Sequence, residues 1–389
     1  PSAMPVPAYN GGSIANLMRS LVSGLGGENV TCVPLTLLAA GEIASFRNVC
    51  LLVMDGLGHG YLRAHPEANW LNGHLRGRIT SVFPSTTETA ITTFLTGEPP
   101  SRHGLTGWHM YFRELGSVLA VLPGRSRYGG VGLSEAGVAP SALFDQAAVF
   151  DRVGVESVVL SPAHIAHSDF NQAHLGRAKL RPFRGLEAML DIVVELARDS
   201  RERRFIYGYW PELDGLGHTD GMNSEASVHH LKQIDRALAT CATALAGTDT
   251  LLVVTADHGQ IDILDSDRIS LDDHPELSDM LVLPLCGESR TAYSYVRPGR
   301  AAAFERYVTE NLSHAVDLHV SRDLVDSGWF GPGDPHPRLI ERIGDYTLVM
   351  RDHFVIKDWL PHEKKYKLTG VHGGMTPDEM YVPVVLKAC

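Results

Sequence analysis

The sequence predicts an α/β fold: a doubly wound, mostly parallel sheet with helices on both faces and a small inserted α+β subdomain. Three observations point there. Several short apolar runs are continuous rather than alternating, as in strands buried on both faces. Segments with apolar residues at helical spacing lie between them. The runs end in polar clusters, and an α/β sheet places its ligand site beyond the carboxyl ends of its strands.

Taken along the chain, Val49 to Met54 (VCLLVM) runs into Asp55-Gly-Leu-Gly. The threonine-rich stretch 81–97 (SVFPSTTETAITTFLTG) has Ala90, Ile91, Phe94 and Leu95 at helical spacing. Ser85 followed by Glu88 reads as a capping box that starts a helix at Ser85, and Gly97 with Pro99 reads as its stop. Thr86 and Thr87 then lie in the first turn, where backbone N–H groups and the dipole favour anions. A hydroxyl there caps the helix or attacks a bound anion.

Ser157 to Leu160 (SVVL) runs into Ser-Pro-Ala-His164, and Phe205 to Trp210 (FIYGYW) into Pro-Glu-Leu-Asp214. Ser224 to Leu245 reads as a helix with Leu231, Ile234, Leu238 and Cys241 on its buried face. Leu251 to Thr255 (LLVVT) runs into Ala-Asp257-His258-Gly. Between Gln260 and His372 the character changes, with acidic and proline-containing stretches around a strand-like AYSYVRP and a helical Ala301 to Leu312. Residues 261–345 are therefore expected to form the inserted subdomain, leaving 1–260 and 346–389 as the catalytic core. Tyr381 to Leu386 (YVPVVL), after His372-Gly-Gly, supplies a last strand.

Composition narrows the function classes. The 389 residues carry a formal net charge of -11, which argues against a general binder of nucleic acid or of a membrane surface. A small anionic substrate is compatible, because bound cations reverse the local field. The five cysteines form no CxxC pair and read as reduced thiols. No apolar run reaches transmembrane length, and PSAMPVPAYNGG lacks the regions of a signal peptide, so a cytoplasmic location is expected.

PELDGLGHTDG carries Asp214 and His218, TADHG carries Asp257 and His258, and VHGGMTPDEM carries His372. With Asp55 and a threonine they make two sets of oxygen and imidazole ligands, which suit Zn²⁺ or Mn²⁺. Each motif alone has an ordinary reading as a cap, a turn or a solvated loop. All of them in this order, each at a strand edge, are hard to explain as turns.

In this order the segments VMDGLG, FPSTTETAITTFLTG with PPSRHG, LDGLGH, TADHG and HGGMTPDEM resemble the alkaline phosphatase superfamily. Within it they most closely resemble the nucleotide pyrophosphatase/phosphodiesterase branch, the type I phosphodiesterases. The resemblance implies a hydrolase of phosphodiester or pyrophosphate bonds with two divalent ions, Zn²⁺ or alternatively Mn²⁺. One ion would be held by Asp214, His218 and His372, and the other by Asp55, Asp257, His258 and the nucleophile. The family's nucleophile lies ten residues before the glycine of the TG pair, which falls on Thr87, with Thr86 the competing neighbour. A phosphothreonine intermediate and a small phosphorylated substrate follow, with no nucleic-acid polymer or membrane as partner.

Departures from the family pattern bear on the substrate. An asparagine that helps bind a phosphoryl oxygen is replaced by Trp108, next to His109, which puts a nucleotide-type diester in doubt. Trp108 reads as a packing residue or a stacking platform. His164 and His167 read as pocket lining or as a solvated loop, and Lys364, Lys365 and Lys367 as a phosphate contact or a solvated face. A sulfatase would need proline at 89 and arginine at 91, where the chain has Thr89 and Ile91. A phosphonoacetate-type hydrolase or a phosphomonoesterase on the same scaffold is the alternative activity, and a non-catalytic binder of a phosphorylated ligand the alternative class.

Overall fold

The strand Asn48–Met54 is buried along its whole length, so both of its faces need cover. The computed structural model, which describes residues 4–199 and 201–389, provides it with a seven-stranded central sheet flanked by helices. The strand order is Leu75–Thr80, Tyr381–Ala388, Thr250–Thr255, Asn48–Met54, Arg204–Trp210, Glu156–Pro162, Lys179–Phe183. Asn48–Met54 pairs in parallel with both of its neighbours, and Glu156–Pro162 pairs in parallel with both of its own. Tyr381–Ala388 is the antiparallel member. All five apolar runs singled out in the sequence are strands of this sheet. Leu51, Leu52 and Val53 are fully buried, and each contributes roughly 1.5–3 kcal/mol relative to exposure.

Helix Glu225–Ala244 is capped by Ser224, whose side chain accepts from the Ser227 N–H, and it buries Leu231, Ile234, Leu238 and Cys241 as its periodicity requires. It packs against helix Leu186–Asp199. Among the described residues no helix is long and apolar enough to cross a membrane.

A second, antiparallel sheet of seven strands is assembled from two distant parts of the chain. Its order is Val316–Val320, Tyr346–Met350, Thr291–Ser294, Cys286–Gly287, His109–Phe112, Ser117–Ala120, Arg125–Ser126. Helix Ala301–Asn311 belongs to this region and packs on it through Phe304 and Val308. Phe83, Met375 and Met380 meet Tyr293 and Val349 in a shared apolar cluster. A fully buried ion pair reinforces that junction. Arg290 Nε and Nη2 donate to the two Glu379 oxygens at 2.9 and 2.8 Å, and Glu379 also accepts from the Gly374 N–H at 2.9 Å. The second sheet is thereby fixed to the loop that carries His372.

Removing one partner of a buried pair leaves the other charge uncompensated. Arg290→Met is expected to lower unfolding stability by about 3–5 kcal/mol in urea titration. Lys365→Met, which breaks an exposed pair with Asp272, is expected to cost less than about 1 kcal/mol. Equal shifts for the two variants would contradict the structural role given to Arg290.

Candidate active site

Parallel strands that are neighbours in the sheet release their carboxyl ends side by side. Asp55 follows Asn48–Met54, Asp214 sits in helix Glu212–Asp220 just after Arg204–Trp210, and Asp257 and His258 follow Thr250–Thr255. Asn48–Met54 is the middle strand of the three, so the three aspartates converge on one edge. Gly56 lets them close up. Its φ is +78°, and a Cβ there would lie 3.1 Å from the Asp214 Cα, which a residue other than glycine would strain.

His258 is the hub of one half. Its Nε2 lies 3.4 Å from Asp55 Oδ1, 3.3 Å from Asp257 Oδ2 and 3.0 Å from the Thr87 hydroxyl. Its Nδ1 lies 2.9 Å from the Gly259 carbonyl, which assigns the ring proton to Nδ1 and turns the Nε2 lone pair towards the cluster. In the other half Asp214 Oδ2 lies 3.1 Å from His218 Nε2, and Asp214 Oδ1 lies 3.6 Å from His372 Nε2. His218 Nδ1 is held by the Gly370 carbonyl at 2.8 Å. The rings of His258 and His372 stack with centroids 3.7 Å apart, so the halves form one centre.

The electrostatics call for positive charge. Burial pushes Asp55 well above the usual carboxylate range, and Asp214 and Asp257 beside it push further. Asp257 is raised too, mainly by its own burial. Burial would also raise Asp214, but His218 and His372 outweigh it and hold Asp214 low. Burial would lower His218, yet the facing Asp214 lifts it to about 9. Asp55 Oδ1 and Asp257 Oδ2 are buried without a hydrogen-bond partner, a costly state for a carboxylate unless a cation meets it.

The donor chemistry fits divalent ions. Asp55, Asp257 and His258 form one group whose ligand atoms all lie within 4.8 Å of one another, and Asp214, His258 and His372 form another. His218 joins neither group, although its Nε2 is nearer Asp214 than that of His372 is. Carboxylate oxygens with imidazole nitrogens suit Zn²⁺ or Mn²⁺.

Thr87 opens the helix Thr87–Thr96, whose N-cap is Thr86. The capping box expected at Ser85 does not form. Ser85 Oγ instead donates to the Gly374 carbonyl at 2.7 Å, on the His372 loop. Glu88 turns to Thr86, which lies 2.7 Å from Glu88 Oε2 and 2.7 Å from Glu288 Oε1. Tertiary partners have displaced the local cap. A hydroxyl has only one hydrogen, so one of these two contacts requires a protonated carboxyl, and burial raises both glutamates. Thr86 is thus committed to the glutamates while Thr87 faces His258. The helix ends, as its sequence requires, with Gly97 at φ 75°.

Two cavities meet at Thr87. One of about 520 Å³ spreads over the aspartate and histidine cluster and includes His109, Arg127 and Lys357. The other, of about 470 Å³, lies behind Thr87 and includes His164. Trp108 lines both, and its backbone N–H donates to Glu288 at 2.9 Å. Burial lowers His109 to about 3, so its ring is neutral. His167 is exposed and lines neither cavity. Lys364, Lys365 and Lys367 are exposed as well, and the last two pair with Asp272 and Asp265. They form the solvated face of the two readings.

Several residues of the site escaped sequence reasoning. The Tyr209 hydroxyl donates to Asp55 Oδ2, and Gln260 Nε2 donates to Asp214 Oδ1 at 2.6 Å. Gln260 directly follows Asp257-His258-Gly, and that adjacency was an available signal. Glu288, Arg127 and Lys357 reach the cavity from the second-sheet region and its flanks, and nothing local in the sequence marks them.

The profile of the family described as type I phosphodiesterase / nucleotide pyrophosphatase matches residues 49–375. No curated protein matches the sequence at a significant level. Among solved structures, murine ectonucleotide pyrophosphatase/phosphodiesterase 5 superposes with a TM-score of 0.66 at 16% identity, covering 86% of this chain and 87% of its own. An inactive threonine-to-alanine form of that murine protein, in complex with AMP, superposes with a TM-score of 0.64 at 17% identity over 86% of this chain and 87% of its own. Phosphonoacetate hydrolase from Sinorhizobium meliloti 1021, with phosphonoformate, gives a TM-score of 0.64 at 18% identity over 88% of this chain and 90% of its own. At such identities the structures speak for the fold, and the profile speaks for the family. The chain belongs to the type I phosphodiesterase / nucleotide pyrophosphatase family of the alkaline phosphatase superfamily, hydrolases of phosphoester bonds.

Proposed function

We propose that the chain hydrolyses small phosphodiesters or pyrophosphates by attack of Thr87 on phosphorus, through a phosphothreonine intermediate, at a centre for two divalent ions. The observation that carries this reading is the Thr87 hydroxyl, 3.0 Å from His258 Nε2, beside two buried aspartates with unpartnered oxygens. Asp214, His218 and His372 would hold one ion, and Asp55, Asp257, His258 and Thr87 the other. Bound there, the ions supply charge neutralisation, a lowered pKa for the threonine hydroxyl and polarisation of the phosphoryl group.

The chain's own groups do the positioning. Tyr209 and Gln260 hold Asp55 and Asp214 in place through hydrogen bonds. The first turn of helix Thr87–Thr96 offers backbone N–H donors to a phosphoryl oxygen. Thr87 Oγ forms a bond to phosphorus as the ester oxygen departs, and water entering from the cavity over Asp214 and His218 then releases a phosphomonoester and restores Thr87. The inactivity of a threonine-to-alanine form of the murine relative supports a part for a threonine in the reaction.

The cavity favours a monoanionic diester over a dianionic monoester. Arg127 is the one arginine among the described residues that line it, and it is already spent: it donates to Glu363, to Asp358 and to the Leu285 carbonyl and is 6% exposed. Lys357, the cavity's lysine, is held by the Tyr366 hydroxyl and the faces of Trp359 and Tyr366. Glu88 and Glu288 lie on the Thr87 side of the cavity, and since one of the two is protonated, a single carboxylate remains there to repel a second phosphate charge.

Three outcomes follow. Metal analysis after reconstitution with Zn²⁺ is expected to find two ions per chain, with Asp257→Asn losing one of them; a single ion in the unsubstituted protein refutes the centre as drawn. Thr87→Ala is expected to keep both the fold and the ion at Asp214, His218 and His372 while losing turnover by at least about 10³-fold. Thr86→Ala is expected to stay within about tenfold, since it removes a hydrogen bond worth roughly 1 kcal/mol; the reverse ranking would move the nucleophile to Thr86. With one metal throughout, kcat/KM for bis-p-nitrophenyl phosphate is expected to exceed that for p-nitrophenyl phosphate, and an inverted ratio would identify a monoesterase.

A further inference from the structure

Gln260 is 4% exposed, and among the described residues its side-chain hydrogen bonds all go to Asp214. Nε2 donates to Asp214 Oδ1 at 2.6 Å and to the Asp214 carbonyl at 3.3 Å. Both partners are acceptors, which fixes the orientation of the amide. The other end is left unmet, because Oε1 is buried without a hydrogen-bond partner. A buried acceptor without a donor costs stability, and an apolar side chain of the same length would avoid that cost.

The same side chain fills the gap between helix Glu212–Asp220, which carries Asp214 and His218, and the segment that orients His218. A Cβ at Gly217 would lie 1.9 Å from Gln260 Oε1, and a Cβ at Gly370 would lie 2.4 Å from it. Glycine at both positions leaves room for the amide. Gly217 directly precedes His218, and the Gly370 carbonyl lies 2.8 Å from His218 Nδ1. The Thr369 N–H donates to the His218 carbonyl, also at 2.8 Å. One glutamine thus holds the Asp214 carboxylate with its nitrogen and spaces the two segments around His218 with its oxygen. Asp55 and Asp257 are held by other groups. Tyr209 donates to Asp55, and the Gly56 and His258 N–H groups donate to Asp257 at 3.2 and 3.0 Å.

Resting on the reading of this centre as a site for two divalent ions, we infer that Gln260 is a positioning residue that sets the affinity of one ion only, the ion held by Asp214, His218 and His372. With Asp214 oriented in advance, the entropy of ordering its side chain is lost on folding and not again on binding. Loss of such a supporting hydrogen bond weakens a metal site by about 10- to 100-fold.

The test is Zn²⁺ titration against a chelating dye in two backgrounds that each keep one ion. Asp257→Asn keeps the ion at Asp214, His218 and His372, and Asp214→Asn keeps the ion at Asp55, Asp257 and His258. Gln260→Met preserves the length of the side chain and removes the donor. It is expected to weaken binding about 10- to 100-fold in the Asp257→Asn background and to stay within about twofold in the Asp214→Asn background. With Co²⁺ in place of Zn²⁺, the visible absorption of the ion is expected to change in the first background and not in the second. Gly217→Ala, whose Cβ intrudes on the Gln260 amide, is expected to reproduce the one-sided loss and gives the answer should Gln260→Met fail to fold. Equal weakening in both backgrounds would make Gln260 a structural residue, and unchanged affinity in the first would leave Asp214 independent of it; either result overturns the inference. Fewer than two ions in the unsubstituted protein would remove the two-ion reading and the inference with it. Two ions together with an indifferent Gln260→Met would remove the inference alone.

Discussion

Three buried aspartates share one edge of the central sheet, and the site is arranged around the cost of that crowding. Asp55, Asp214 and Asp257 arrive there because their strands are adjacent and parallel. Like charges drawn out of water repel one another and lose hydration, which raises Asp55 and Asp257. The protein offers partial relief through Tyr209, Gln260, the Gly56 N–H and three imidazoles. It leaves one oxygen each of Asp55 and Asp257 unmet. A fold that spends stability on such an arrangement has prepared a place for cations.

The rest of the structure holds that edge in register. Gly56 allows the Asp55 turn to close on Asp214. The Arg290–Glu379 pair and the Ser85 bond to Gly374 bring the His372 loop against helix Thr87–Thr96. Neither contact touches a reacting group. Both fix the distance between His372 and Thr87, and misplacement by about 1 Å at such a centre costs rate steeply.

Helix Thr87–Thr96 divides the space in front of the sheet. On one side lies a charged cavity with the candidate ligands, and on the other a mainly apolar slot lined by no Asp, Glu, Lys or Arg among the described residues. A threonine at the first helical position borders both, because its hydroxyl faces the cluster while the helix face beyond it continues as Ile91 and Leu95. Thr86, one residue earlier, is rotated away by about 100° and bonds to Glu88 and Glu288 instead.

The sequence by itself determined the central sheet and the ligand-type residues. Continuous apolar runs of this length read as strands buried on both faces, and the polar clusters that follow them fall at the carboxyl edge, so the meeting of Asp55, Asp214, Asp257 and His258 at one sheet edge was legible in the sequence. The register to Gly97 singles out Thr87 only through the family resemblance, and the structure places Thr87 at the first position of its helix. The helix start was not legible: Ser85 and Glu88 have the pattern of a capping box, and only the packed structure shows that Gly374, Thr86 and Glu288 claim those side chains. The contribution of residues 109–126 to the second sheet, the approach of Glu288, Arg127 and Lys357 to the cavity, and the apolar slot were likewise decided by tertiary structure. Each depends on segments far apart in the chain meeting in space, and local periodicity carries no information about which distant partner will win a side chain.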